Sequence, residues 1–264
     1  MQLSLWQIAL LAVVQGATEF LPVSSSGHLV VLAALFSPDG TTRGLDIADV
    51  NIVLHGGTLL SILVYYSHRV WRLLGEDRRT VGLLVVGTIP AGIIGVPVKE
   101  FASESILGNP LLVGFLLPIT GLLLIWASRA KVGSTTYPQM SYWHAFLIGI
   151  SQAAAILPGL SRSGATISTG LRLGLSRDAA AAFSFLLAIP VIGGACLLEV
   201  LTLLGQATFV TPPSYLALGA LISFLVGLLS LLWLIRLLER GKLHYFACWC
   251  IPLGMAVVVW QLWT

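Results

Sequence analysis

The chain has 264 residues, of which 57% are hydrophobic and only 9% charged, with a net charge of +3. Soluble domains carry about 25% charged residues, so a soluble globular fold is excluded and a polytopic membrane protein is indicated. The small basic excess reads as membrane topology rather than as a nucleic-acid footprint, and no nucleic-acid partner is expected.

In chain order, the N-terminus lacks a basic region followed by a small-residue cleavage site, so no removable signal peptide is expected. Residues 3–14 form a short apolar stretch, followed by the string QGATEFLPVSSSGH at 15–28 and a second short stretch at 29–36. Three longer apolar runs follow at 50–67, 81–98 and 110–127. The pattern then restarts: a short stretch at 145–157, the string QAAAILPGLSRSGAT at 152–166, and another short stretch at 167–175. Three more long runs occupy 179–203, 214–235 and 245–263. A helix needs roughly 17–25 apolar residues to cross a bilayer. The six long runs meet that length, and the four short ones do not. The spacing therefore predicts an all-α protein with six transmembrane helices and two re-entrant helix hairpins, each repeated string forming a hairpin tip. Trp6, Trp71, Trp126 and Trp143 fall near segment ends, where tryptophan anchors at the membrane interface. Cys196, Cys248 and Cys250 lie in apolar runs, an odd set that fits neither a disulfide framework nor a zinc site.

Charge distribution orients this scheme. Eleven of the 14 basic residues fall in one set of loops, around Arg69–Arg79, Arg129–Lys131, Arg172–Arg177 and Arg236–Lys242. The opposite loops hold Arg43 and Lys99 together with the acids Asp39, Asp46, Asp49, Glu100 and Glu104. Positive charge marks the cytoplasmic side, so both termini are expected to face outward. Three crossings per half make the second half start on the opposite face. One membrane domain, 1–264, then contains two inverted-topology repeats, 1–128 and 142–264. Such repeats place binding sites between broken helices near the midplane.

The strings hold groups that hydrocarbon rejects. An ionised side chain at membrane depth costs roughly 2.5–3.5 kcal/mol on insertion scales, so Glu19 and Arg162 are expected at a functional site. Gln15 lies one helical turn before Glu19 and can orient a phosphate or a metal-bound water, but cannot ionise. Ser25 and His28 follow Glu19 closely, and a hydroxyl, a base and an orienting acid suit nucleophilic attack. In the second string, Pro158 and Gly159 end one helix and Ser161 or Ser163 can cap the next. Free backbone N–H groups and the helix dipole then face the turn. Arg162 adds a planar fork for phosphate, and Ser161, Ser163, Gly164 and Thr166 complete an expected phosphate cradle. His55, mid-run in VLHGGT, reads as a helix-packing residue, and His68, His144 and His244 as interfacial residues. Glu199 has no assigned role.

These strings resemble the BacA-type undecaprenyl-pyrophosphate phosphatases over essentially the whole chain. The family's first signature, Glu/Gln-x-x-x-Glu followed by Phe-Leu-Pro-hydrophobic-Ser-Ser-Ser/Thr-Gly-His, matches Gln15 to His28. Its second, Pro-Gly-x-Ser-Arg-Ser-x-x-Thr, matches Pro158 to Thr166, and the segment from Gly87 to Ala91 is also family-like. The resemblance implies a hydrolase of the inner membrane that converts undecaprenyl diphosphate to undecaprenyl phosphate and phosphate. That reaction recycles the lipid carrier for peptidoglycan synthesis and confers bacitracin resistance. It implies dependence on Mg²⁺ or Ca²⁺ and a site open to the outer, periplasmic face. Glu19, Ser25, His28 and Arg162 are the reactive set it implies, with Gln15, Ser24, Ser26, Ser161, Ser163, Gly164 and Thr166 in support. Many members have Glu where this chain has Gln15, so Glu19 is expected to do the metal or proton work alone. The nucleophile is left open among Ser25, His28 and water, and a homodimer is compatible with the sequence. The rival class is an inverted-repeat flippase or transporter for a polyprenyl phosphate, which has no use for a nucleophile.

Overall fold

The computed structural model describes residues 3–36, 48–101, 104–131, 133–204 and 211–263. The loop expected on the outer face that carries Asp39, Arg43 and Asp46, and the side chain of Glu199, lie outside what it describes. Every extended element among the described residues is helical, with one isolated bridge between Thr135 and Leu175.

The first hairpin is α1 (Leu5–Phe20) and α2 (Ser25–Phe36). Ser4 opens α1 as half of a capping box with Gln7, and Pro22, by restricting the residue before it, closes it at the tip. The second hairpin is α8 (Tyr142–Ala154) and α9 (Arg162–Arg172). Ser141 caps α8 by accepting from His144 N, and Ser161 caps α9 by accepting from Gly164 N. These four helices have 16, 12, 13 and 11 residues. At 1.5 Å per residue they reach about 17–24 Å, short of the roughly 30 Å hydrocarbon core. The structure differs from the sequence expectation in one respect: most of each string is helix, not turn. Gln15 and Glu19 lie in the last two turns of α1, and Arg162 begins α9, so the apolar runs understate both helices.

Between the hairpins lie α3 (Ala48–Tyr65), α4 (Ser67–Leu73), α5 (Arg78–Phe101), α6 (Glu104–Leu107) and α7 (Pro110–Ser128). After the second hairpin come α10 (Arg177–Leu204), α11 (Pro213–Glu239) and α12 (Ala247–Trp263). Five of these helices are long and apolar enough to cross a membrane, and a sixth span results if α3 and α4, bent by 84° at their junction, are taken together. The outer surface is apolar, with Leu122, Leu229 and Leu262 all exposed, as befits helices whose solvent is lipid. Polytopic membrane architecture is therefore clear.

α10 forms the centre. Its first half is buried on every side from Ala179 to Ala188, as expected of a helix apolar all round. Around it, α1 lies along α11 and α8 lies along α5. Both contacts are backbone-close: a Cβ at Gly16 would collide with the Ser223 carbonyl of α11, and one at Gly149 with the Gly87 carbonyl of α5. α7 packs on α12, and α3 on α10 and α11. This arrangement drives the two hairpin tips against one another in the interior.

Candidate active site

The tips are joined by backbone, not only by side chains. Ser24 has φ +70°, a left-handed conformation uncommon for a side-chain-bearing residue. Its Oγ accepts from Gly159 N of the second tip at 3.0 Å and from Gly27 N of its own helix at 3.3 Å. Gly159 has φ +101° and packs so closely on Val113 and Leu116 of α7 that a side chain has no room. Thr120 of α7 donates to Gly159 O at 2.8 Å and accepts from Ser161 N at 3.1 Å.

Glu19 sits at this junction, 7% exposed. Arg162 Nη2 donates to its Oε1 at 2.5 Å. Its Oε2 accepts from Ser25 Oγ at 2.7 Å and from Gln15 Nε2 at 3.0 Å. His55 of α3 brings Nε2 to 3.8 Å from the same Oε2. A buried charge of this kind is tolerated only when paired and hydrogen-bonded, and four side chains from four different helices surround it. Two polar atoms remain without protein partners: Gln15 Oε1 and Arg162 Nη1. Ser25 and Ser26, and likewise Arg162 and Ser163, occupy first-turn positions whose N–H groups precede the intrahelical ladder. The first residues of α2 and α9 therefore both bond Glu19, beside a guanidinium N–H without a protein partner, and helix N-termini and guanidinium groups are the kinds of group that favour an anion.

The structure thus unites Gln15, Glu19, Ser25 and Arg162. It redirects several other expected residues. His28 is not bonded to Ser25 or Glu19. Its Nδ1 donates to Ser24 O at 2.8 Å, since a carbonyl can only accept, and Trp249 Nε1 of α12 donates to its Nε2 at 2.8 Å. The rings are also stacked, 6.1 Å apart with 9° between planes. With both nitrogens occupied, His28 pins the Ser24 turn to α12, and the expected Ser25–His28 contact is absent because the helix start turns the imidazole away from Glu19. The cradle hydroxyls point inward too. Ser161 caps α9, Ser163 donates to Leu21 O at 3.3 Å, and Thr166 Oγ1 pairs with Ser184 Oγ at 2.6 Å. Ser26 Oγ lies 3.4 Å from Ser24 Oγ. Gly164, in the first turn of α9, leaves space that Pro22 of the first tip fills. In this structure these hydroxyls are engaged within the junction itself.

His55, Thr120 and Trp249 enter the site unforeseen. For His55 a signal existed: Asn51, His55 and Thr58 make a polar stripe at helical spacing inside an apolar run. Thr120 and Trp249 are single residues in apolar helices, with no local pattern to mark them.

A family model described as bacitracin resistance protein BacA matches residues 8–256. A protein of Rhodopirellula baltica named undecaprenyl-diphosphatase is 48% identical over 257 residues, covering 97% of this chain and 98% of its own. Proteins of the same name from Bacteroides thetaiotaomicron and Desulfatibacillum aliphaticivorans are 39% and 38% identical, each covering 96% of this chain and 97% of its own.

Proposed function

Since the chain belongs to the BacA family, we propose that it is an undecaprenyl-diphosphatase in which Ser25 is the nucleophile and Glu19 its base. The enzyme hydrolyses undecaprenyl diphosphate to undecaprenyl phosphate and phosphate, returning the lipid carrier to cell-wall synthesis and supporting bacitracin resistance.

The observation that carries the mechanism is the direct bond from Ser25 Oγ to Glu19 Oε2 at 2.7 Å, with Arg162 held on the other oxygen. A hydroxyl already donating to a buried carboxylate needs no intervening imidazole. Ser25 Oγ attacks the terminal phosphorus, its proton passes to Glu19, and undecaprenyl phosphate leaves. Phosphoryl transfer depends mainly on positioning and charge stabilisation. Arg162, through the unpartnered Nη1, and the N-termini of α2 and α9 supply that stabilisation. Among the described residues no three His, Cys, Asp or Glu side chains cluster as a metal site. One carboxylate with the unpartnered Gln15 Oε1 nevertheless suits a Mg²⁺ or Ca²⁺ that shares substrate phosphates. Glu19 and Gln15 would hold it, and when bound it adds to the neutralisation of phosphate charge.

The prenyl tail lies in an apolar groove of ≈ 430 Å³ between α3, α10 and α11, walled by Ile52, Val53 and Leu60 of α3, the helix that also bears His55, and by Phe224 of α11. The two halves are inverted repeats, 1–128 and 142–264, with six crossings, two re-entrant hairpins and a site open to the outer face of the inner membrane. The exchange of partners, α1 on α11 against α8 on α5, supports that symmetry. The alternative of a flippase leaves the Ser25–Glu19 bond without a use.

Phosphate release by the purified protein from undecaprenyl diphosphate with Mg²⁺ tests the proposal. Ser25→Ala should reduce kcat at least ~10³-fold. Near-normal turnover by that variant would remove Ser25 as nucleophile, and no release by the folded wild type would remove the phosphatase reading.

A further inference from the structure

Ser25 and Glu19 account for the first half of the reaction but leave the second, hydrolysis of a phosphorylated serine, without a group to orient water. His55 is unused by the mechanism and points at it. Its Nδ1 lies 2.8 Å from Asn51 O, one turn earlier on α3. A carbonyl accepts only, so Nδ1 carries the hydrogen, and in the neutral ring Nε2 presents a lone pair. That lone pair faces Glu19 Oε2 at 3.8 Å. Two acceptors at that separation make no hydrogen bond with each other. A contact of this length between polar atoms is the kind that one water bridges, donating a hydrogen to each. The same Oε2 accepts from Ser25 Oγ, so a water held there lies beside the atom that becomes phosphorylated. Glu19 is 6% exposed at its side chain and His55 31%, so His55 is the more accessible of the two. Of the other neighbours of Glu19, Arg162 has no acceptor, and Gln15 turns its N–H to the carboxylate, so that its Oε1, where the proposed cation would be held, points away from Oε2.

We propose that His55 is a water-positioning residue for the second step, holding the hydrolytic water between its Nε2 and Glu19 Oε2. In that step the water oxygen bonds to phosphorus and the Ser25 Oγ–P bond breaks. One water proton moves to Glu19 Oε2 and from there to the departing Ser25 Oγ, so hydrogen phosphate leaves and both side chains are restored. The proton that Ser25 gave up in the first step has by then gone from Glu19 to solvent.

The inference rests on Ser25 being the nucleophile. It is tested by pre-steady-state kinetics with terminally ³²P-labelled undecaprenyl diphosphate, comparing wild type, Ser25→Ala, His55→Leu and His55→Gln. His55→Leu should lower kcat by about 10²-fold, yet still release one equivalent of undecaprenyl phosphate per enzyme in a burst. Acid-quenched protein should then retain label on Ser25. His55→Gln, whose amide oxygen can accept from water, should recover most of the turnover. A mere packing role would lower burst and steady state together. Unchanged kcat in His55→Leu, or lost turnover without burst or label, overturns the proposal. Turnover by Ser25→Ala overturns instead the nucleophile reading, and the inference with it.

Discussion

At the first tip, Ser24 Oγ accepts from Gly27 N three residues on and lies 3.4 Å from Ser26 Oγ. At the second, Ser161 Oγ accepts from Gly164 N three residues on and lies 3.2 Å from Ser163 Oγ. The backbone start of α2 and of α9 is therefore built by the same serines at the same offsets. What differs is small and chemical. Ser25 stands where the second tip has Arg162, and Glu19 stands where it has Ile156. Gln15 donates to Glu19, whereas the amide of Gln152 has neither atom bonded within the protein. Ser24 is left-handed and Ser161 is not. A common frame thus starts two helices beside one carboxylate, and a few differences give each tip its own chemistry, a carboxylate and a hydroxyl on one side, a guanidinium on the other.

That division makes unequal predictions for matched positions. The largest concerns the cation. Arg162→Lys keeps the charge but loses the fork that bonds Glu19 through Nη2 and leaves Nη1 for the proposed phosphate. The loss of one preorganised donor is expected to lower kcat by about 10²–10³-fold, read from steady-state phosphate release. A variant within twofold of wild type would mean that charge alone suffices at the second tip.

Next comes the joint between tips. Ser24→Ala removes the acceptor for both Gly159 N and Gly27 N, two buried donors at about 1–3 kcal/mol each when orphaned. Thermal unfolding in detergent should show a clear drop in Tm. Ser26→Ala, which spares both bonds, should not.

A smaller effect distinguishes a pin from a base. If His28 serves to anchor the Ser24 turn to α12, His28→Asn and Trp249→Phe should each cost about 1 kcal/mol, and a double-mutant cycle should show their energies coupled. Independent energies, with activity lost in His28→Asn alone, would return His28 to the chemistry.

The smallest contrast is between the glutamines. A buried amide without partners costs free energy, so Gln152→Leu should leave kcat within about twofold and not lower Tm. Gln15→Leu should lower kcat, because it strips a donor from Glu19. Equal losses would reveal a shared role at both tips.

Much of the site was legible locally. Glu19 and Arg162 stand out because charge in apolar sequence demands a reason, and Ser25 because it follows Glu19 in a hydroxyl-rich string. Hairpin shortness followed from counting apolar residues, although those counts missed that Gln15, Glu19 and Arg162 are themselves helical. Nearness in sequence to Ser25 suggests a base at His28. Proximity along a helix does not say where an imidazole points, and its partner Trp249 lies 221 residues away. His55 reads as a packing residue for the converse reason, being 36 residues from the carboxylate it faces.

The sequence by itself determined the solvent of this protein, its all-helical class and the residues that had to be shielded, since hydrophobicity and charge are additive along a chain. Only the tertiary structure decided which of those residues meet. The Arg162–Glu19 pair closes over 143 positions and the Gly159–Ser24 bond over 135. Which side chain faces which across such distances depends on helices packed at glycine contacts and on one left-handed serine, and these are directions in space that no local pattern encodes.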